Sequence, residues 1–225
     1  MRTTLCSLAL LLVSLLVISC TADQNTQFNM EGKTIMEVTT FNINDNVTPA
    51  AFAQRDAAVE SDFTSKQPGF ITRQSGVDDE GNYVVVVYWE SLADADASMS
   101  KFMGDESVSD YAQMIDAPTM KMSRYAMDQA FAGAISRFVE IMSFDVSEGT
   151  DLTAFATLNK KVETDFTGKR EGFVQRLTGV NEEGKQIVAV YWASKMSSDA
   201  ALQPFMEAPI SKEFMQEMDQ TSIAM

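Results

Sequence analysis

The residues of this chain that could carry out chemistry occur as matched pairs, 103 positions apart. Glu37 and Glu140 each lie in an otherwise apolar segment. A carboxylate in apolar surroundings resists ionisation, so its pKa rises towards the range in which it can act as a general base. If both side chains point into the interior of the fold, Glu37 and Glu140 are candidate catalytic residues.

Two other sets of matched residues leave more than one interpretation open. Arg73 and Arg176 could neutralise Glu37 and Glu140 as buried ion pairs, which would make these side chains structural. The tryptophans could stack on an aromatic substrate at the mouth of the fold, or could simply fill the end of a sheet. We therefore predict a substrate pocket lined by three pairs: Phe41 and Phe144, Arg73 and Arg176, and Trp89 and Trp192.

Residue types that the sequence lacks exclude several classes of catalyst. There is no histidine, and both cysteines, Cys6 and Cys20, lie near the N-terminus. His-ligated haem, Ser-His-Asp hydrolysis and His-based zinc sites are therefore excluded, as is catalysis by a nucleophilic cysteine further along the chain. The methionines lack the dense repeats typical of copper binders and are expected to line a core or a ligand cavity. We expect no metal and no cofactor.

The N-terminal segment indicates export. A short positive start precedes an apolar run over residues 5–18, which is too short and wrongly flanked for a stable membrane span. The run ends in Ser19-Cys20, which resembles the bacterial lipobox, where cleavage falls before a cysteine that then carries lipid such as palmitate. We predict a lipoprotein signal peptide over residues 1–19 and a lipidated tether over residues 20–33, which would hold the protein to a membrane through Cys20.

The net charge limits the partners that this protein can have, and the residue after Cys20 bears on its location in the cell. The formal net charge of −15 repels phosphate backbones, so we expect no nucleic acid partner. Thr21 stands where some bacteria use an aspartate to retain lipoproteins at the inner membrane. The predicted location is the bacterial cell envelope, with the outer membrane favoured.

The segments that must position the matched pairs also occur twice in the sequence. VESDFTSKQPGFITRQSGV (residues 59–77) corresponds to VETDFTGKREGFVQRLTGV (162–180), and the register holds without insertion between residues 35–122 and 138–225. We interpret this correspondence as a tandem duplication.

Each copy predicts the order strand, helix, strand, strand, helix, strand. In the first copy Thr48-Pro49 begins one helix and Ser91 caps the other, while DDEG (78–81) predicts a hairpin turn. The order βαββαβ is that of a ferredoxin-like unit, which leaves one face of its sheet apolar. The predicted fold class is therefore α+β, with two tandem ferredoxin-like repeats packed sheet to sheet as an intramolecular dimeric α/β barrel. The protein would then be a monomeric pseudo-dimer.

The predicted boundaries follow from the repeat. They are a first repeat over residues 34–127, a linker over 128–136 and a second repeat over 137–225. The last strand of the second repeat must be short, because the sequence ends at Met225.

At this level of detail the chain resembles the antibiotic biosynthesis monooxygenase (ABM) family. The residues that carry the resemblance are QPGF (67–70), DDEG (78–81) and VVYWESLADADA (86–97), with REGF, NEEG and AVYWASKMSSDA in the second copy. The resemblance implies a dimeric α/β barrel that binds a small apolar or aromatic molecule and oxidises it with oxygen, in some members without a cofactor. A non-enzymatic ligand-binding or envelope interaction lipoprotein is the alternative. Glu171 and Ala193 depart from the pattern, so we expect any degenerate half to be the second.

Overall fold

The computed structural model describes residues 28–133 and 136–224. The predicted signal peptide, Cys20 and most of the predicted tether lie outside the described residues. The first half of the molecule is defined as residues 34–127, and the second half as residues 137–224.

The two halves have the same order of elements over most of their length. The first half comprises β1 (Ile35–Phe41), α1 (Pro49–Asp62), β2 (Phe70–Val77), β3 (Tyr83–Trp89), α2 (Leu92–Phe102), α3 (Glu106–Met114) and β4 (Lys121–Met127). The second half comprises β5 (Phe138–Phe144), α4 (Leu152–Lys161), β6 (Phe173–Val180), β7 (Gln186–Trp192), α5 (Lys195–Glu207) and α6 (Pro209–Gln216).

Local sequence signals account for several of these boundaries. The hydroxyl of Thr48 accepts a hydrogen bond from the Ala51 amide at 3.2 Å and caps α1, whose first residue is Pro49. Ser91 caps α2 in the same way, so both predicted caps are confirmed. The polyvaline run of β3 gives a strand buried on both faces.

Seven antiparallel strands form one sheet in the order β2-β3-β1-β4-β6-β7-β5. The halves join where β4 pairs with β6, through Ala126 opposite Val180 and Met127 opposite Gly179. Gly179 permits this junction, because a Cβ at this position would lie 2.6 Å from the carbonyl oxygen of Ala126. In the second half a single bridge, Ser143 to Ala224, stands where the first half has the whole of β4.

The hydrophobic interior has three parts. Each half has a core between its sheet and its own helices, and a third core, the barrel core, lies where the two sheets face each other. The barrel core draws residues from both halves: Met36, Val86, Tyr88, Tyr125, Met127, Leu177, Ile187, Ala189 and Tyr191. The predicted fold class, two ferredoxin-like units packed sheet to sheet, is therefore confirmed.

Candidate functional site

Strand register places the matched residues in equivalent rows across the two halves. In the first half Arg73 lies opposite Val87, which in turn lies opposite Glu37. In the second half Val190 lies in the same way between Arg176 and Glu140. Because neighbouring strands are about 4.8 Å apart, the arginine and glutamate backbones of each row are separated by roughly 10 Å.

Both rows face the helices and not the barrel core. Arg73 bonds to Asp56 on α1, and Glu140 bonds to Ser198 on α5. Phe41 and Trp89 lie in the helix-side core of the first half, and Phe144 in that of the second. The predicted pocket residues therefore do not line the barrel interior. They lie on the face of their strands that meets the helices.

The row of the first half is closed by internal ion pairs. Arg73 pairs with the carboxylate of Asp56, and its Nη2 donates to the Tyr111 hydroxyl at 3.5 Å. Although burial opposes it, Asp56 raises the pKa of Arg73. The predicted bridge between Glu37 and Arg73 is wrong, because the helix supplies a nearer carboxylate.

Glu37 has a different partner, supplied by the neighbouring strand. Arg124 on β4 lies directly opposite Glu37 and its Nε donates to the Glu37 carboxylate at 2.6 Å. Burial nevertheless raises the pKa of Glu37, against the opposing effect of Arg124. Every charged member of the first row is thus balanced inside the protein.

In the residues that the structure describes, the row of the second half has neither counter-charge. Asn159 stands where the first half has Asp56, and it accepts hydrogen bonds from Arg176 Nη1 at 3.1 Å and Nη2 at 2.5 Å. Within residues 28–133 and 136–224, Arg176 has no carboxylate at ion-pair distance. Its side chain is only 3% exposed. Burial lowers the pKa of Arg176 to about 10, which Glu163 partly opposes.

Glu140 is held by neutral donors. Trp192 Nε1 donates to one carboxylate oxygen at 2.9 Å, and the hydroxyl of Ser198 donates to the other. The strand that supplies Arg124 to Glu37 has only the single-residue bridge at Ala224 as its counterpart here. The predicted bridge between Glu140 and Arg176 is also wrong, because the two backbones stand two strands apart.

A cavity of about 150 Å³ opens beside this second row. Apart from the charged pair, its wall is largely apolar. The lining residues are Glu140, Met142, Phe166, Thr167, Arg176, Val188, Val190, Trp192, Ser198, Ala201, Leu202, Phe205 and Phe214. Of the predicted site residues, the cavity brings together Glu140, Arg176 and Trp192. It leaves out Glu37, Phe41, Arg73, Trp89 and Phe144. It therefore lies in the half expected to be the degenerate one.

A larger depression of about 420 Å³ lies beside Arg124 and the turn that contains Glu182. It is more open to solvent than the cavity of the second half, and its wall is as polar as it is apolar, whereas the wall of that cavity is largely apolar. Enclosure and apolar walls with a few convergent polar groups are typical of small-molecule sites. The cavity is therefore the stronger candidate.

The barrel core is filled by its own side chains. The hydroxyls of Tyr88 and Tyr191 share a hydrogen bond of 2.7 Å across the two halves. Phe131 packs on both rings, with centroid distances of 4.9 and 5.7 Å. Burial raises the pKa of both tyrosines, that of Tyr191 to about 12. This region is a packed interface between the sheets.

Sequence reasoning missed the residues that decide which of the two rows borders a cavity. Asp56 and Asn159 occupy equivalent helix positions but differ in charge, opposite matched arginines. That single exchange was visible in the aligned copies and is the signal that could have located the site. Arg124 gave no such signal, since its partner is fixed by sheet order.

Residues 28–133 and 136–224 contain neither a cluster of metal ligands nor a membrane-spanning helix. No cluster of three or more His, Cys, Asp or Glu side chains there could hold a metal ion. No helix in the same ranges is long and apolar enough to cross a membrane.

Comparison with known proteins identifies the fold. No protein-family model and no curated protein matches this sequence. Among solved structures, a "putative monooxygenase" from Lactobacillus acidophilus shares 15% identity at a TM-score of 0.62, over 85% of this chain and 91% of its own. An anthrone oxidase-like protein shares 14% identity at a TM-score of 0.60, over 88% of this chain and 90% of its own.

A mutant of chlorite dismutase from Candidatus Nitrospira defluvii is also similar, with 11% identity and a TM-score of 0.57 over 84% of this chain and 88% of its own. The three proteins carry names of different activities on one architecture. At these identities the likeness extends to the fold alone. This chain therefore shares the fold of these three proteins.

Proposed function

We propose that this protein binds a small, apolar or aromatic molecule in the cavity of the second half. One observation carries the proposal: equivalent rows of residues form ion pairs in the first half and border a largely apolar cavity in the second. A cavity of about 150 Å³ suits a ligand the size of a single ring. The rigid sheet behind it and the donors that fix Glu140 keep the site preformed.

Oxidation of the bound molecule is a second candidate, favoured by the carboxylate in the cavity wall. Glu140 can accept a proton from an acidic C–H of the ligand. The resulting carbanion would be oxidised by molecular oxygen, with one oxygen atom forming a new carbonyl group and the other leaving as water. Such chemistry fits the ABM-like motifs and requires no metal.

The same proposal places the protein in the bacterial envelope, anchored by lipid on Cys20, with the two halves derived from one duplicated ABM-like unit. The apolar run before Ser19-Cys20 supports the anchor, and the register between residues 35–122 and 138–225 supports the duplication. Labelling cells with a palmitate analogue tests the anchor. The full chain should incorporate label, and Cys20→Ser should incorporate none; equal labelling of both would overturn this part.

Native mass spectrometry of the full chain, gently released in detergent, tests the binding proposal. We expect a co-purifying small molecule whose mass is lost from the Ala201→Leu variant, in which the cavity is filled. Retention of the same adduct by that variant would place the ligand elsewhere and contradict the proposal. Oxygen uptake on adding the identified ligand, abolished by Glu140→Gln, would extend the function to oxidation.

A further inference from the structure

We infer that the ligand of the second-half cavity is an anion, namely a small carboxylate with an apolar or aromatic body, and that Arg176 binds its charged end. The inference rests on the proposed function, since it names the chemical class that the same cavity takes. It follows from the buried Arg176 guanidinium, which has no carboxylate at ion-pair distance in the part of the chain that the structure describes.

Arg176 is the residue on which this inference rests. A guanidinium group stays protonated in proteins, and the Arg176 side chain is almost completely removed from water. A buried charge without a counter-charge is costly. Asn159 accepts two hydrogen bonds from Arg176, but it is neutral and cannot balance the charge.

Glu140 does not fill this role, although it lines the same cavity. Val190 separates the two residues in the row, and the pair is not within ion-pair distance. Both oxygens of Glu140 already accept hydrogen bonds, from Trp192 and Ser198. A carboxylate ligand would be attracted to the Arg176 end of the cavity and repelled from the Glu140 end, so the cavity also fixes the ligand's orientation.

The first half shows what the missing partner would be. There the carboxylate of Asp56 occupies the position beside Arg73 and forms the ion pair. Planar, two-oxygen acceptors match the donor geometry of an arginine. The ligand carboxylate would therefore do for Arg176 what Asp56 does for Arg73, with its apolar body packed over Val190 and against Phe214.

Titration calorimetry with two probes of nearly the same shape tests the inference. Benzoate carries the charge, and benzamide is its neutral counterpart. For the full chain in detergent we expect benzoate to bind at least about tenfold more tightly than benzamide, the scale expected of a buried charge pair. Equal binding would overturn the anion inference but keep the proposed function, whereas binding of neither probe would contradict both.

Introducing the counter-charge of the first half into the second half tests the inference more directly. Asn159→Asp should give Arg176 an internal carboxylate and lower the affinity for benzoate at least about tenfold. The matched control is Asn181→Asp, which makes the same change in the β6–β7 turn, where the first half already has Asp78. Unchanged benzoate affinity in Asn159→Asp, or an equal loss in Asn181→Asp, would overturn the inference.

Discussion

The two halves of this protein place an arginine, a valine and a glutamate in the same row of the same sheet and use them differently. In the first half, Asp56 and Arg124 convert the row into two internal ion pairs. In the second half, Asn159 and a strand reduced to one bridge leave the row beside a cavity. An equivalent position can thus be part of a core or part of a site, depending on one counter-charge and one strand.

The two halves also show why the matched residues alone did not locate the site. A pair of equal residues at equivalent positions indicates a shared fold, and the function is expected where their neighbours differ. The loss of Asp56's carboxylate at Asn159 is such a difference. Asn159 lies in a helix as Asp56 does, yet in the described part of the chain it leaves the buried Arg176 without an ion-pair carboxylate.

The largest expected effect separates the two arginines. Arg73→Met leaves Asp56 buried without its partner and should lower the free energy of unfolding by about 3–5 kcal/mol. Arg176→Met leaves only the neutral acceptors of Asn159 without a donor and should cost less, at most about 1–3 kcal/mol. Urea denaturation of both variants measures the difference, and equal losses would show that the two rows are energetically alike.

Filling the two helix-side regions should have opposite consequences. Ala201 lines the cavity, and Ala201→Leu should raise the free energy of unfolding by about 0.5–2 kcal/mol. Its counterpart Ser98 is buried in the first half, where Ser98→Leu should cost about 1–3 kcal/mol through overpacking. Thermal unfolding of the two variants is the measurement, and destabilisation by Ala201→Leu would mean that the cavity cannot accept a side chain.

The tyrosine pair sharpens the comparison, because the halves contribute equally to it. Tyr88→Phe or Tyr191→Phe each leaves one buried hydroxyl without its partner and should cost about 1–2 kcal/mol. The double variant leaves neither and should cost less than the sum. A double-mutant cycle by urea denaturation tests this expectation; strict additivity would show that the hydrogen bond does not couple the halves.

The smallest expected effect is a pH dependence specific to the first half. Because burial raises the pKa of Glu37 above 4.5, the folded state holds this proton more tightly than the unfolded state. Stability should therefore fall as the pH rises from about 4.5 to the folded pKa, and stay level above it. Urea midpoints across this range should show the decline in the native protein and a weaker one in Glu37→Gln. Identical slopes in the two proteins would refute the assignment.

Most of the fold could be predicted from the sequence, because it depends on signals that are local or repeated. Thr48-Pro49, Ser91 and the strand Phe70–Val77 needed only capping and pattern rules. The repeated register supplied the rest, since two units with open apolar faces must cover each other.

The site could be predicted only in part. The third strands are apolar at almost every position, so alternation could not say which face of the row meets the helices. The partner of Glu37 depends on β4 lying next to β1, which is a property of the sheet. The exchange between Asp56 and Asn159 was readable, but its meaning required knowing that α1 and α4 face the arginines.

Methionine-methyl NMR can show which half of the protein binds the ligand, because the equivalent walls of the two halves carry different methionines. Met142 lines the second-half cavity, and Met99 in α2 is the first-half counterpart of Leu202. During titration of the full chain with benzoate, we expect a saturable shift of the Met142 signal and none of the Met99 signal. A shift of Met99 in place of Met142, or no shift of either, would contradict the claim that the second half holds the site.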